Sequence, residues 1–250
     1  MARHAKIRLF VNADLSASSE IELSESQSHY LLNVMKQTTG SEISAFDNAH
    51  GEFCCLISAA GKKSCRIAVG EQLRPYVQSP DIWLLFAPVK KDQTDFIVQK
   101  AVELGARAIC PVITARTIAE KVKLERFAAQ AVEAAEQCRR VDLPEIFSAQ
   151  SLTEALKNWP SDRKLYYMDE TLKSASVAEV FPCSPASAAI LVGPEGGFAP
   201  EELELLRRLP FAEGVTLGPR ILRAETAVAA ALSCWQALSG DWAIEKGMGK

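Results

Sequence analysis

Short apolar runs separated by turn residues fill the chain up to about residue 73; from Asp81 the rhythm becomes strands alternating with helices. In the first part, Ile7–Val11, Ile43–Phe46, Phe53–Ser58 and Cys65–Val69 are β-type runs, broken by turn residues such as Asp47-Asn48 and Gly61. One helix interrupts them. Ser24 followed by Gln27 has capping-box spacing, and His29, Leu32, Val34 and Met35 carry the helix toward Gly40. This pattern predicts a small β-barrel or sandwich over 1–73. Residues 74–80, with Pro75 and Pro80, read as a linker.

Beyond the linker, Ile82–Val89 is a continuously apolar strand candidate, as expected for a strand buried on both faces. Lys91–Leu104 is predicted helical, with Ile97, Ala101 and Leu104 on one face and Gly105 as its stop. Ala108–Ile113 is the next strand. Leu124–Arg139 is an amphipathic helix carrying Leu124, Phe127, Ala131, Ala134 and Cys138 inward, and Ser151 caps a short helix that ends before Pro160. Leu165–Met168, Ile190–Val192 and Val215–Leu217 supply further strands, and Pro200–Arg208 and Glu225–Leu238 are helix-like. Alternation of this kind predicts an α/β domain with a largely parallel sheet over 81–250.

Composition narrows the function classes. The chain has 250 residues, a formal charge of −3 and 48% hydrophobic residues, which permits a sizeable core without staples. Residues 1–75 hold eight Lys/Arg and eight Asp/Glu, so charge alone gives nucleic-acid binding no support. The seven cysteines form no C-x-x-C pair and are expected buried and reduced, and the three histidines lack ligand spacing, so no metal is expected. No histidine follows His50, which nearly excludes a Cys/His or Ser/His hydrolase in the second part. Without an apolar leader or a membrane-length run, a cytoplasmic location with no membrane partner is expected.

Two glycine-rich segments carry the candidate chemistry. Leu191-Val192-Gly193-Pro194-Glu195-Gly196-Gly197 and Leu217-Gly218-Pro219-Arg220-Ile221-Leu222-Arg223-Ala224-Glu225-Thr226 each follow a strand-like run and precede a helix. Glycine lets backbone approach a ligand closely, and ligands of parallel sheets gather at the carboxyl ends of strands. No Gly-Lys-Ser/Thr follows either loop, and Glu201 and Glu202 at the next helix start oppose a phosphate there. A neutral or cationic ligand fits better. Each loop alone is equally readable as a turn, and Arg220, Arg223 and Glu225 as a solvated helix start. Glu136-Gln137-Cys138-Arg139-Arg140 reads as cations closing a helix, and Lys90, Lys91, Lys100 and Glu103 as a solvated face or a substrate contact.

Taken together, Leu191 to Phe198 and Leu217 to Ala227 resemble the RsmE family of SPOUT methyltransferases, which methylate N3 of a uridine in 16S rRNA. Gln99 to Gly105, Glu136 to Ile146, His29 to Lys36 and Phe46-Asp47 match further motifs of that family, over the length of the chain. The resemblance implies an α+β protein: an N-terminal PUA-like β-barrel that binds RNA, then an α/β SPOUT domain with a C-terminal trefoil knot. It implies S-adenosyl-L-methionine as cofactor, 16S rRNA within the 30S subunit as substrate at U1498, and a homodimer. Carried over by position, the cofactor contacts are Leu191, Gly193, Glu195, Gly196, Leu217, Gly218, Ile221, Leu222 and Arg223. Arg223 and Glu225 are the candidates for catalysis. Asn33 and Met35-Lys36 stand where the family has arginine and Leu-Arg, so RNA contacts are assigned to Arg3, Arg8, Lys36, Lys62, Lys63 and Arg140. A SPOUT enzyme acting on another RNA such as tRNA, or a non-catalytic RNA-binding module, stays open at this point.

Overall fold

The computed structural model describes residues 7–118, 122–184 and 186–243. The chain divides into two compact units, one taking residues up to Gln78 together with Ala135–Leu143, the other Ser79–Ala134 and the chain from Pro144 onward.

In the first unit, β1 (Arg8–Phe10), β2 (Glu20–Glu22), β3 (Glu42–Asp47), β4 (Gly51–Ala60) and β5 (Cys65–Arg74) form one sheet in the order β1-β3-β4-β5-β2. β1 runs parallel to β3 and the other pairs are antiparallel. Register shifts between β4 and β5 mark bulges, which bend and twist the sheet around its core. That core holds Leu9, Ile43, Ile57 and Ile67, joined by Leu15, Leu23 and Leu31 from outside the strands. Among the described residues no ladder closes β2 onto β1, so the expected barrel is open there. β2, only three residues long, was too short to show as a periodic run.

The capping box predicted at Ser24 is present and starts α1 (Glu25–His29). The helix then widens into one π-turn, Tyr30–Val34, closed by the Met35 N–H donating to the Tyr30 carbonyl. It stops short of Gly40 because Lys36 takes a left-handed φ of 54°.

The helix predicted from Leu124 forms as α3 (Leu124–Cys138), and its last turn and the following residues fold with this first unit. Arg8 accounts for that. Its Nε donates to Glu52 at 3.0 Å, its Nη groups donate to the carbonyls of Ala135 and Arg140, and its guanidinium lies 3.9 Å over the Phe46 ring. The cation at this helix end is therefore Arg8, from far away in sequence, while Arg140 turns back onto Asp142 at 2.7 Å.

In the second unit, β6 (Ile82–Phe86), β7 (Ala108–Ile113), β8 (Glu145–Ile146), β10 (Lys164–Met168), β11 (Ala175–Ser176), β12 (Ala188–Val192) and β13 (Ala212–Thr216) line up as β11-β13-β10-β12-β6-β7-β8, and β9 (Gln150–Ser151) pairs with β7. Every pair is parallel. Alternation splits each central strand between two faces. Leu85, Tyr167 and Leu191 join a cluster with Leu152 and Leu156 of α4 (Leu152–Lys157) and Leu203 and Leu206 of α6 (Pro200–Arg208). On the other side Tyr166 meets Trp235 of α7 (Ala224–Leu238) and Phe181, which follows α5 (Val177–Val180).

α7 buries Ala224, Ala227, Val228, Ala231, Leu232 and Trp235, a helical stripe, and packs on α2 (Lys91–Glu103). Gln236 locks the two by donating to the Leu104 carbonyl at 2.7 Å. In α3 (Leu124–Cys138), Phe127, Ala131 and Ala134 are buried as predicted, whereas Leu124 and Cys138 are half-buried. All the cysteines are unpaired; burial pushes the thiols of Cys55 and Cys110 up to about 12, so they stay protonated. Among the described residues no helix is long and apolar enough to cross a membrane.

Candidate functional site

Sheet order builds the site. Because β10 lies between β13 and β12, the carboxyl ends of these strands come together, and so do the loops that follow them. A cleft of about 200 Å³ opens there. Its walls are the Gly193–Gly197 loop after β12, Leu217, Arg220, Ile221 and Leu222 after β13, and Met168, Asp169, Glu170 and Leu172 after β10.

The glycine loop is held from several directions. The Gly197 N–H donates to the Pro194 carbonyl at 2.8 Å and closes the turn. Gly197 has φ 67°, and a Cβ there would lie 2.3 Å from the Glu170 carboxylate. That carboxylate accepts from the Phe198 N–H at 3.1 Å. From the segment after β7, Arg116 donates to the Gly196 carbonyl at 2.7 Å. Glu202 accepts from the N–H groups of Ala115 and Ala199, both at 2.8 Å, so an acid that opposes a phosphate at this helix start also ties two loops together. Pro200 opens α6, where its missing N–H costs nothing.

Asp169 is fixed as a carboxylate. Burial alone would raise its pKa, but bonds from the Ser174 hydroxyl and Thr171, together with the charge of Arg207, hold it below the usual range.

The sequence-predicted residues divide clearly. Gly193, Glu195, Gly196, Leu217, Ile221 and Leu222 line the cleft. Leu191 is buried in the sheet between Tyr167 and Leu85, and Gly218 (φ 103°) shapes the second loop without lining the cleft. Arg223, exposed at the N-cap of α7, and half-buried Glu225 stand outside the lining, while Arg220 is in it. Met168, Asp169, Glu170 and Leu172 went unpredicted, since only the strand order places them here.

The RNA-contact assignments divide as well. Arg3 lies outside the described residues. Lys36, Lys62 and Lys63 are exposed, with Lys63 3.8 Å from Glu25. Arg8 and Arg140 are corrected: their side chains are 9% and 6% exposed, and their guanidinium groups are engaged inside the first unit. Each solves a burial problem and presents no charge to a polyanion.

Asp14, Asp47 and His50 bring ligand-type atoms within 4.8 Å of one another. Asp47, however, already accepts from the N–H groups of Leu15, Ala49 and His50 and from the His50 ring. That network closes a turn.

A second, larger cleft of about 570 Å³ adjoins the glycine loop, lined by Lys90, Lys91, Lys123, Arg126, an apolar wall and Glu195. Glu195 borders both clefts.

Comparison with known proteins places these features in company. Residues 77–236 match the pattern of an RNA methyltransferase domain, and residues 23–70 that of an RNA methyltransferase PUA domain. The chain is 33% identical over 229 residues to the Rickettsia conorii protein named ribosomal RNA small subunit methyltransferase E, covering 90% of this chain and 93% of that one. A Bacillus subtilis protein of the same name is 31% identical over 220 residues, 82% of this chain and 85% of its own length. Among solved structures, a ribosomal RNA small subunit methyltransferase E from Neisseria gonorrhoeae bound to S-adenosyl methionine superposes with a TM-score of 0.86 at 30% identity, covering 94% of this chain and 99% of that one. A Legionella pneumophila protein in complex with the same cofactor gives 0.85 at 28% identity, covering 96% and 100%.

Proposed function

Because the chain belongs to the ribosomal RNA small subunit methyltransferase E family, with that family's RNA methyltransferase and PUA domains, we propose that it transfers a methyl group from S-adenosylmethionine to N3 of one uridine (U1498) of 16S rRNA in the small ribosomal subunit. The observation that carries this reading is the meeting of the loops after β10, β12 and β13 on one cleft walled by backbone.

The cleft suits that cofactor chemically. Gly193, Gly196 and Gly197 line the cleft without side chains, so backbone can approach a neutral adenine, and Leu217, Ile221 and Leu222 supply apolar surface. Asp169, Glu170 and Glu195 outnumber Arg220, which favours a sulfonium over a phosphate. When bound, S-adenosylmethionine supplies a methyl group already made electrophilic by its sulfur, so the protein's main contribution is alignment. The assigned contacts are Gly193, Glu195, Gly196, Leu217, Ile221 and Leu222, with Leu191, Gly218 and Arg223 supporting their loops. Glu225 accepts the uracil N3 proton, and Arg223 stabilises the developing charge on O2 or O4.

In this reading residues 1–73 bind RNA through Lys36, Lys62 and Lys63, residues 74–80 link, and residues 81–250 form the catalytic domain. The loops after β12 and β13, wrapped on one cleft, suit a C-terminal trefoil knot. Ile221, 76% exposed, and Leu172, 40% exposed, leave apolar surface at the cleft that a second copy would cover, which suits a homodimer. Sedimentation equilibrium is expected to give the dimer mass. The enzyme then acts in ribosome biogenesis, in the cytoplasm.

The deciding experiment offers 30S subunits and naked 16S rRNA with labelled cofactor and identifies the product nucleoside. We expect 3-methyluridine from 30S subunits. Label found only in tRNA when tRNA is offered alongside them, or none at all, would sink the reading.

A further inference from the structure

The larger cleft lies beside the glycine loop and has no task in the methyl-donor site. Its composition is that of a nucleotide seat. Val89 and Phe127 contribute to an apolar wall, and Lys90, Lys91, Lys123 and Arg126 stand around it. Arg126 is paired with Asp95. Among the described residues Lys90, Lys91 and Lys123 have no carboxylate partner, and all of them are exposed. Three unpaired ammonium groups around one concavity repel each other, an arrangement that an incoming anion relieves.

The backbone adds to this field. α2 starts at Lys91, and its N-cap residue Lys90 makes no side-chain cap bond. The Thr94 hydroxyl, which would otherwise be available near the first turn, exchanges bonds with the Val89 N–H and carbonyl, both at 3.0 Å. The first-turn N–H groups of this thirteen-residue helix add to the positive end of the cleft; Asp92 is its first-turn acid and does not line the cleft, and Asp95, which does, is taken by Arg126. In a chain of net charge −3 this is a local concentration of positive charge, whereas Arg8 and Arg140 are used internally.

We propose that this cleft holds the phosphate backbone of the RNA strand at the target nucleotide, with Lys90, Lys91 and Lys123 as the phosphate contacts. Glu195, on the boundary of both clefts, marks where the base passes toward the methyl donor. A single strand with a displaced base fits: the apolar wall takes a neutral pyrimidine and the rim takes its charged backbone. This assignment deepens the proposed rRNA methylation and rests on it.

The test uses the full chain with Lys90→Ala, Lys91→Ala and Lys123→Ala combined. Binding to 30S subunits is followed over a salt series, alongside the KM for 30S subunits and calorimetry with S-adenosylmethionine. Each lost single-strand phosphate contact removes about 0.7 from the slope of log K against log salt, so the triple variant should be shallower by about 2. The KM for 30S subunits should rise roughly tenfold, an effect of the size expected for losing clustered phosphate contacts. Cofactor affinity should be retained, and arginine at the same positions should restore the slope. A slope and KM equal to those of wild type overturn the proposal. If the triple variant loses cofactor binding through misfolding, Lys90→Ala and Lys123→Ala are measured singly, each expected to flatten the slope by about 0.7. Wild type that binds RNA with the expected salt dependence yet methylates none defeats the functional reading, and the salt slope of the triple variant then reports on the cleft as an RNA contact alone.

Discussion

Gly197→Ala is expected to weaken S-adenosylmethionine binding about 30-fold, read by calorimetry on the full chain. Two costs combine. A φ of 67° places an alanine in the left-handed region, at about 1–2 kcal/mol. The new Cβ would also start 2.3 Å from the Glu170 carboxylate, the group that accepts from the Phe198 N–H. Glu170 can swing away, but only by giving up that bond, worth about 1 kcal/mol. Roughly 2 kcal/mol in all corresponds to the stated change in affinity. Because the strain is confined to a surface loop, thermal stability should fall much less than affinity. A dissociation constant within threefold of wild type would show that the loop binds its ligand without this turn.

Glu52→Ala is expected to cost the first unit about 3–5 kcal/mol. Its carboxylate accepts from Arg8 at 3.0 Å and from Arg74 at 2.8 Å, and its side chain is 7% exposed. Removing it leaves the Arg8 guanidinium buried without its counter-charge, and that loss exceeds whatever the intact pair contributes. Arg8→Met combined with Glu52→Leu should recover much of the deficit. All the tryptophans (Trp83, Trp159, Trp235 and Trp242) belong to the second unit, so indole fluorescence is blind to the change. Hydrogen exchange of β3 and β4 amides is the suitable readout, and unchanged protection would refute the prediction.

The same carboxylate gives this unit an acid limit. Burial would raise the Glu52 pKa, but bonds from Ser44 and Arg74 and the charges of Arg8 and Arg74 bring it below its ordinary 4.5. A depressed folded value means that the unfolded chain takes up the proton first as pH falls. The stabilisation is complete above about pH 4.5 and is lost as pH drops through the folded value. Glu52→Gln should remove this part of the acid dependence.

Periodicity revealed most elements because burial imposes it locally: α7 carries its stripe at helical spacing, and β12 is apolar throughout. The Ser24 box and the Gly193–Gly197 loop were legible for the same reason, since a cap or a turn is completed within a few residues. What depends on strand order was not. Nothing near Met168 or Glu170 announces that β10 lies between β12 and β13, and so the wall after β10, one of three, was missed. Basic residues misled in the other direction. A sequence shows the charge of Arg8 and Arg140 but not whether it faces water or a carboxylate. Lys90 and Lys91 were readable as a solvated face or as a substrate contact, and the fold sets Lys123 on the same cleft with them.

The Arg8 contacts also have a consequence in time. A chain made from its N-terminus exposes Arg8 early, but the carbonyls of Ala135 and Arg140 that its guanidinium binds emerge more than a hundred residues later. The first unit therefore cannot finish folding as an independent early product, although domains usually complete in order of synthesis. Its Arg8 can meet Glu52 early, but the carbonyl partners arrive only after residues 79–134 of the second unit have been made. A fragment cut at residue 78 reproduces that waiting state rather than the finished unit.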